Sequence, residues 1–258
     1  MIRGLSLPAG LLLVAGAISA QQAGRQVPLV GCETGGQVPA ETPKVSTASL
    51  AISPQLAAKL AYYASGTGLR VLAPRGWYCF GTNGSDGDEL LVTTGATDAR
   101  KHFVNRPPGF RGPVVYLTLR LGGTSGRFSV AEIIMRVFPD HRAFAEGVTE
   151  MFPFKKFEVG PYAGDQLTYK SKTIVEYATP ARTDGLGTYD RLEKSDLPIH
   201  GVAILIDQAE PDLLFLSARL PHGLDEANPT IVNQVESDVE HHPEQMRLRP
   251  LKPLDVKR

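Results

Sequence analysis

Two segments of this 258-residue chain carry residue types and spacing suited to binding chemistry. The first is Gly122-Gly123-Thr124-Ser125-Gly126-Arg127, between an alternating apolar stretch and an amphipathic one. Free N–H groups of such a loop, a helix dipole behind it and the Arg127 guanidinium would suit a carboxylate or phosphate. The loop is not that of a nucleotide-binding motif, because the spacing is short and Gly126 is followed by Arg127. Ser129-Val130-Ala131-Glu132 reads as a capping box that already engages the helix donors and sets negative charge where an anion would sit. A tight strand-to-helix turn is the plainer reading. The second segment is Arg182-Thr183-Asp184-Gly185-Leu186-Gly187-Thr188-Tyr189-Asp190-Arg191. A long irregular stretch between core strands suggests function. Arg182, Asp184, Tyr189 and Arg191 offer directional contacts, and Gly185 and Gly187 allow unusual backbone angles.

Other groupings point to less. Asp86, Asp88 and Glu89 crowd one turn, but their spacing departs from a calcium-binding loop, so a solvated turn is expected. Asp140-His141 and His241-His242 are sequence neighbours whose side chains diverge on a helix. No nucleophile elbow or zinc-protease motif occurs in the sequence. Two function classes remain. One is a binding or assembly module for a protein or small-molecule partner; the other is a hydrolase with a dispersed site. No cofactor or metal is implied, and a monomer is expected.

The 27 basic and 27 acidic side chains cancel. Such a balance provides no field for nucleic acid or an anionic membrane surface. The N-terminus reads as an export leader over residues 1–20: Arg3, then apolar Leu11-Leu12-Leu13-Val14, then small Ala17, Ser19 and Ala20. The apolar run is too short to span a bilayer, and no stable membrane anchor is expected. Leu29-Val30-Gly31-Cys32 resembles a lipid-attachment box but lies too far from the apolar run. A periplasmic or extracellular setting favours one bridge between the two cysteines, Cys32 and Cys79.

These candidate residues need elements to position them. Residues 21–48 read as an extended N-terminal arm, 49–240 as one α+β domain and 241–258 as a tail. Ser53-Pro54 opens a helix with Leu56, Leu60 and Tyr63 on one face and Gly66 at its end. Leu69–Leu72, Trp77–Phe80 and Glu89–Thr93 read as strands, the last two joined by a hairpin through residues 82–88. Val115, Leu117, Leu119 and Leu121 alternate with polar residues as in a half-buried strand. Val130, Ile133, Ile134, Val137 and Phe138 make the core-facing stripe of a helix that starts at the capping box and stops at Pro139. Leu167 to Tyr177 alternates along one long strand. Val202–Ile206 and Leu213–Leu216 read as central strands, and Asn228-Pro229 opens a last helix. Strands in sequence with helices between blocks imply one mainly antiparallel sheet covered by helices.

The order of elements over residues 69–240, the Ala73-Pro74-Arg75-Gly76-Trp77 opening and the Leu-rich last strand before a final helix resemble the PsbP-like α/β/α sandwich. The Gly76-Trp77-Tyr78-Cys79 segment is similar to secreted bacterial proteins of unknown function. The PsbP resemblance implies a non-enzymatic binding or assembly factor.

Overall fold

Short β-rich runs separated by Gly and Pro punctuation assemble into one continuous sheet. The structure, a computed structural model, describes residues 24–38, 40–96, 109–206, 208–244 and 246. The expected leader and the basic residues of the tail from 247 onward lie outside them. Among the described residues are eleven strands and four α-helices. The strands are β1 Arg25–Gly36, β2 Ser46–Leu50, β3 Leu60–Ser65, β4 Arg70–Pro74, β5 Tyr78–Gly84 and β6 Gly87–Thr93, followed by β7 Val114–Arg120, β8 Gln166–Tyr169, β9 Ile174–Thr179, β10 Ile199–Ile206 and β11 Asp212–Arg219. The helices are α1 Pro54–Lys59, α2 Arg127–Val137, α3 Arg142–Met151 and α4 Asn228–His241. In space the strands run β4-β3-β1-β5-β6-β7-β11-β10-β9-β8, with β2 beside β1. Pairing is antiparallel except where β1 meets β3 and β5 in parallel. The class is α+β, with an open, mostly antiparallel mixed sheet.

Side chains alternate between the two faces of a sheet, and here the faces differ. One is aliphatic: Leu90, Leu117, Leu216 and Val202 lie under Ile231 and Val235 of α4. The other holds Leu91, Tyr116, Phe215 and Val175 beneath α2 and α3. The stripe Val130, Ile133, Ile134, Val137 and Phe138 is buried there, as its spacing requires. Pro139 ends α2, and a short 3-10 turn leads into α3. The Cys32–Cys79 disulfide is present, with Cα atoms 5.3 Å apart. It closes a span of 47 residues, which stabilises by roughly 4 kcal/mol in the chain-entropy account.

Several expectations require correction. The N-terminal arm is integrated in the core: β1 lies inside the sheet, flanked by β3 and β5, with Val27 and Cys32 buried. The helix opened by Ser53, whose Oγ accepts from the Leu56 N–H, ends at Lys59. Leu60–Ser65 is instead a fully buried strand. Its helical spacing is overridden because β1 and β4 both pair with it, and Tyr62 and Tyr63 suit a pleated surface. The hairpin linker is shorter than expected: β5 and β6 run on to a two-residue turn at Ser85-Asp86. β7 is buried on both faces, not half-buried. The capping box does not form; α2 begins at Arg127 with Gly126 at its N-cap and no side-chain cap. Residues 167–177 form two strands, β8 and β9, joined by a tight turn.

Candidate functional site

The polar residues of β7 that alternation would place in solvent create the site. Gly87 (φ +140°) packs so close to β7 that a Cβ would lie 1.8 Å from the Leu119 carbonyl oxygen. This turn sets Asp86 and Glu89 beside Arg120, which is 5% exposed. Arg120 Nη1 donates to Asp86 Oδ2 at 2.9 Å. Its Nη2 donates to Glu89 Oε1 and to Asp190 Oδ2, both at 2.6 Å. Tyr116 OH donates to Asp190 Oδ2 at 2.9 Å. Burial alone would raise the Glu89 pKa, but the Arg120 and Arg191 guanidiniums outweigh it and hold it below the usual range. Burial and then the neighbouring Asp190 carboxylate keep Tyr116 protonated well above its ordinary pKa. Glu89 thus has no proton to give near neutrality, and Tyr116 does not release its own.

A second arginine lies at the other end of the β7–β11 pair. Arg219 is fully buried, and its guanidinium donates to the carbonyls of Phe110 (2.8 Å) and Glu193. With no carboxylate bonded to it, burial depresses its pKa to about 10. The two arginines clamp one segment between them: Arg120 holds Asp190 by its side chain and Arg219 holds Glu193 by its backbone. The Glu193 N–H donates to the Phe110 carbonyl at 2.9 Å, completing the clamp.

The two segments singled out in the sequence meet at this site. Ser125 and Arg191 line one cleft of about 350 Å³, together with Asp86, Glu89 and Arg120. Arg191 Nη2 reaches Glu89 Oε2 at 3.6 Å. The other residues of the glycine loop turn inward. Gly122 N–H donates to Asp212 Oδ1 at 2.9 Å, and a Cβ on Gly123 would meet the Glu210 carboxylate at 2.6 Å. Arg127 folds back on the loop, donating to the carbonyls of Thr124 (2.6 Å) and Gly123 (3.1 Å). Most of the loop's donors are thus engaged and carboxylates flank it, an arrangement poorly suited to an anion. Asp86 and Glu89 are likewise engaged by Arg120. Among the described residues no group of three or more His, Cys, Asp or Glu is placed to hold a metal ion.

The 182–191 segment divides in two. Gly185, Leu186 and Gly187 are buried, and Tyr189 is half-buried with its ring 6.2 Å from Phe215. Burial pushes the Tyr189 hydroxyl up to about 12, against its hydrogen bond with Ser129. Tyr189 is therefore a strut beneath the segment. Arg182 and Asp184 stay outside, paired with Asp196 (2.6 Å) and Lys194 (2.9 Å). A second cleft of about 410 Å³, lined by Arg111, Asp184, Arg191 and Lys194 among others, opens on this outer side. Arg120 and Arg219 are not singled out by the sequence, Glu89 enters there only through the acidic turn, and Asp190 only as a member of the 182–191 segment. The available signal was one arginine closing each of two Leu- and Val-rich central strands.

No helix among the described residues is long and apolar enough to cross a membrane. A comparison with protein-family models, curated proteins and solved structures finds no match to this chain.

Proposed function

We propose that this chain is an exported binding module whose contact surface is the outer rim of residues 182–194, and that its partner is a protein with a polar face of mixed charge. One observation carries the reading. Arg182 adopts φ +62°, a left-handed conformation that costs a side-chain-bearing residue on the order of 1–3 kcal/mol and glycine almost nothing. The Arg182 N–H donates to the Ser195 carbonyl at 2.8 Å, which holds that geometry in place. Its side chain is exposed. Glycine would serve the fold better, so an arginine here is explained by what it does on the outside.

Further features support the reading. A rim clamped by two buried arginines loses little conformational freedom on binding, which favours affinity. Its Arg111–Glu193, Arg182–Asp196 and Lys194–Asp184 pairs alternate in sign, which suits a partner bearing both charges. The leader-like N-terminus and the Cys32–Cys79 disulfide both fit an oxidising compartment outside the cytoplasm. The PsbP-like resemblance points the same way.

The test is affinity capture from the native envelope fraction with wild-type protein and the Arg182→Gly variant. The reading expects a captured protein whose affinity drops at least tenfold in the variant, while thermal stability is unchanged or higher. Equal capture by both proteins would remove the 182–194 rim from the contact surface.

A further inference from the structure

An apolar tip stands out where α3 ends. The Phe152 N–H donates to the Val148 carbonyl and closes the helix, and the Lys155 N–H donates to the Phe152 carbonyl at 2.9 Å, so Pro153 and Phe154 form the point of a tight turn. Turn points favour Pro and small polar residues. Here Phe154 is 76% exposed, and Met151, the last residue of α3, is 62% exposed. The two belong to one patch. The Phe152 ring lies 6.0 Å from Phe154 and 5.1 Å from Phe128. Arg127 lies over the Phe152 ring and donates to Met151 Sδ at 3.5 Å. Ala143, which is exposed, and Gly147 continue the Met151 side of α3 toward its start. A Cβ on Gly147 would meet nothing within 4 Å. Clustered exposed apolar groups of this kind mark an interaction surface, which single ones do not.

Cations surround the tip. Lys155 Nζ is 5.1 Å from the Phe128 ring centroid, Arg127 is 6.0 Å from that of Phe152, and Lys156 follows in an exposed position. Among the described residues none of these three is in an ion pair. The nearby carboxylates face elsewhere. Glu150 projects about 100° from Met151 around α3, and Glu146 lies one turn behind it on that same side. Glu158 acts on Glu132, which is itself paired with Arg136 at 3.3 Å. We propose that this tip docks the protein reversibly on a phospholipid surface with anionic headgroups, Phe154 and Met151 entering the interface while Arg127, Lys155 and Lys156 meet phosphates. Two features favour lipid over a protein partner. The apolar groups stand proud on a turn point, which suits a deformable surface. The long basic stems start beside the rings, so their charges can stay at headgroup level while the rings sit deeper. The chain as a whole carries no net charge, so the attraction is local and acts over about 10 Å at ordinary salt. It requires no spanning helix and uses none of the residues of the 182–194 rim.

The test is co-sedimentation of the chain from Gln21 onward, which keeps every described element, with two kinds of vesicle. One is phosphatidylcholine alone; the other is phosphatidylcholine and phosphatidylglycerol in equal parts. The proposal expects binding to the anionic vesicles roughly tenfold tighter than to the neutral ones, and weaker as salt is added. The Met151→Ser/Phe154→Ser and Lys155→Gln/Lys156→Gln double variants should each bind the anionic vesicles roughly tenfold more weakly. Their thermal midpoints should match the wild type, because all four side chains are exposed. No binding of the wild type to the anionic vesicles would overturn the proposal. So would undiminished binding by Met151→Ser/Phe154→Ser, which would move the vesicle affinity to basic residues elsewhere in the chain. Capture of a soluble protein that this variant loses while it still binds vesicles like the wild type would also overturn it, in favour of a protein partner at the tip.

Discussion

The two faces of the central sheet solve the same burial problem with different chemistry. On one, Leu90, Leu117, Leu216 and Val202 meet Ile231 and Val235 of α4, and apolar burial suffices. On the other, an apolar field of Leu91, Phe215 and the α2 stripe is interrupted by Thr118, Glu89, Arg120 and Arg219, all nearly or fully buried. The aliphatic face contributes stability without direction. The charged face fixes geometry, because each guanidinium accepts only certain partners at certain angles. Within it the arginines differ in turn: Arg120 is bonded to three carboxylates and Arg219 to carbonyls. The 190–193 segment is held by both, which is why a stretch with little regular structure can present a fixed rim.

The largest effect expected from breaking this contrast is at Arg120. Arg120→Ala should cost about 3–5 kcal/mol in denaturant unfolding, because it strands buried carboxylates. Its pH dependence should also change sign. In the wild type, Glu89 has a depressed pKa, so its contribution is present above the ordinary carboxylate range and is lost as pH falls through the lower folded value. Without Arg120 burial dominates, Glu89 is raised, and acidification should restore stability. Arg219→Ala should cost less, since carbonyls near the surface can take water in place of the guanidinium.

Next in size is Ile134→Ala in α2, a buried stripe residue over the charged face. Cavity formation there should cost roughly 2–5 kcal/mol with no change in pH profile. A loss below about 1 kcal/mol in denaturant unfolding would mean that α2 is peripheral. Thr118→Val is a smaller and sharper probe. Thr118 is 2% exposed and its Oγ1 has no hydrogen-bond partner. A near-isosteric valine should raise stability by up to about 1 kcal/mol, measured by thermal unfolding, whereas a loss would show that the hydroxyl serves the ion network.

The smallest expected effect is at the outer edge of the aliphatic face. Burial, followed by the adjacent Glu176 carboxylate, raises the Glu236 pKa to about 6. The folded state therefore holds its proton more tightly than the unfolded chain does, and stability falls as pH rises through that value. Glu236→Gln should flatten this decline and gain no more than about 1 kcal/mol near neutrality, after allowance for solvent screening.

The apolar packing of both faces was legible in the sequence and the buried charge network much less so. The stripe from Val130 to Phe138 and the runs Val202–Ile206 and Leu213–Leu216 announce burial through spacing alone, and the cysteine count led to the bridge. Tyr116, Thr118 and Arg120 announce solvent by the same rule, because alternation cannot tell a wet face from one where charges meet their partners. Those partners, Glu89 and Asp190, lie 31 and 70 residues from Arg120, and nothing local joins them. The helix expected over 53–66 failed for a related reason: flanking strands recruited Leu60–Ser65. Of the site, the sequence exposed its two loops and not their convergence, which Arg120 brings about.

Hydrogen exchange across residues 182–193 tests the clamped rim most directly. Eight backbone N–H groups there are bonded: Arg182 to Ser195 O, Thr183 to Pro180 O, Gly185 to Thr188 Oγ1, Leu186 to Asp165 Oδ2, Gly187 to Thr179 Oγ1, Thr188 to Gly185 O, Tyr189 to Leu186 O and Glu193 to Phe110 O. If two arginines hold this segment in place, these amides should be protected close to the level of β7 in the wild type. They should lose at least tenfold in protection in Arg120→Met while the β10 amides stay protected. Exchange of the wild-type segment at free-peptide rates would contradict the account, because a rim that is not fixed before binding cannot be the preformed surface it describes.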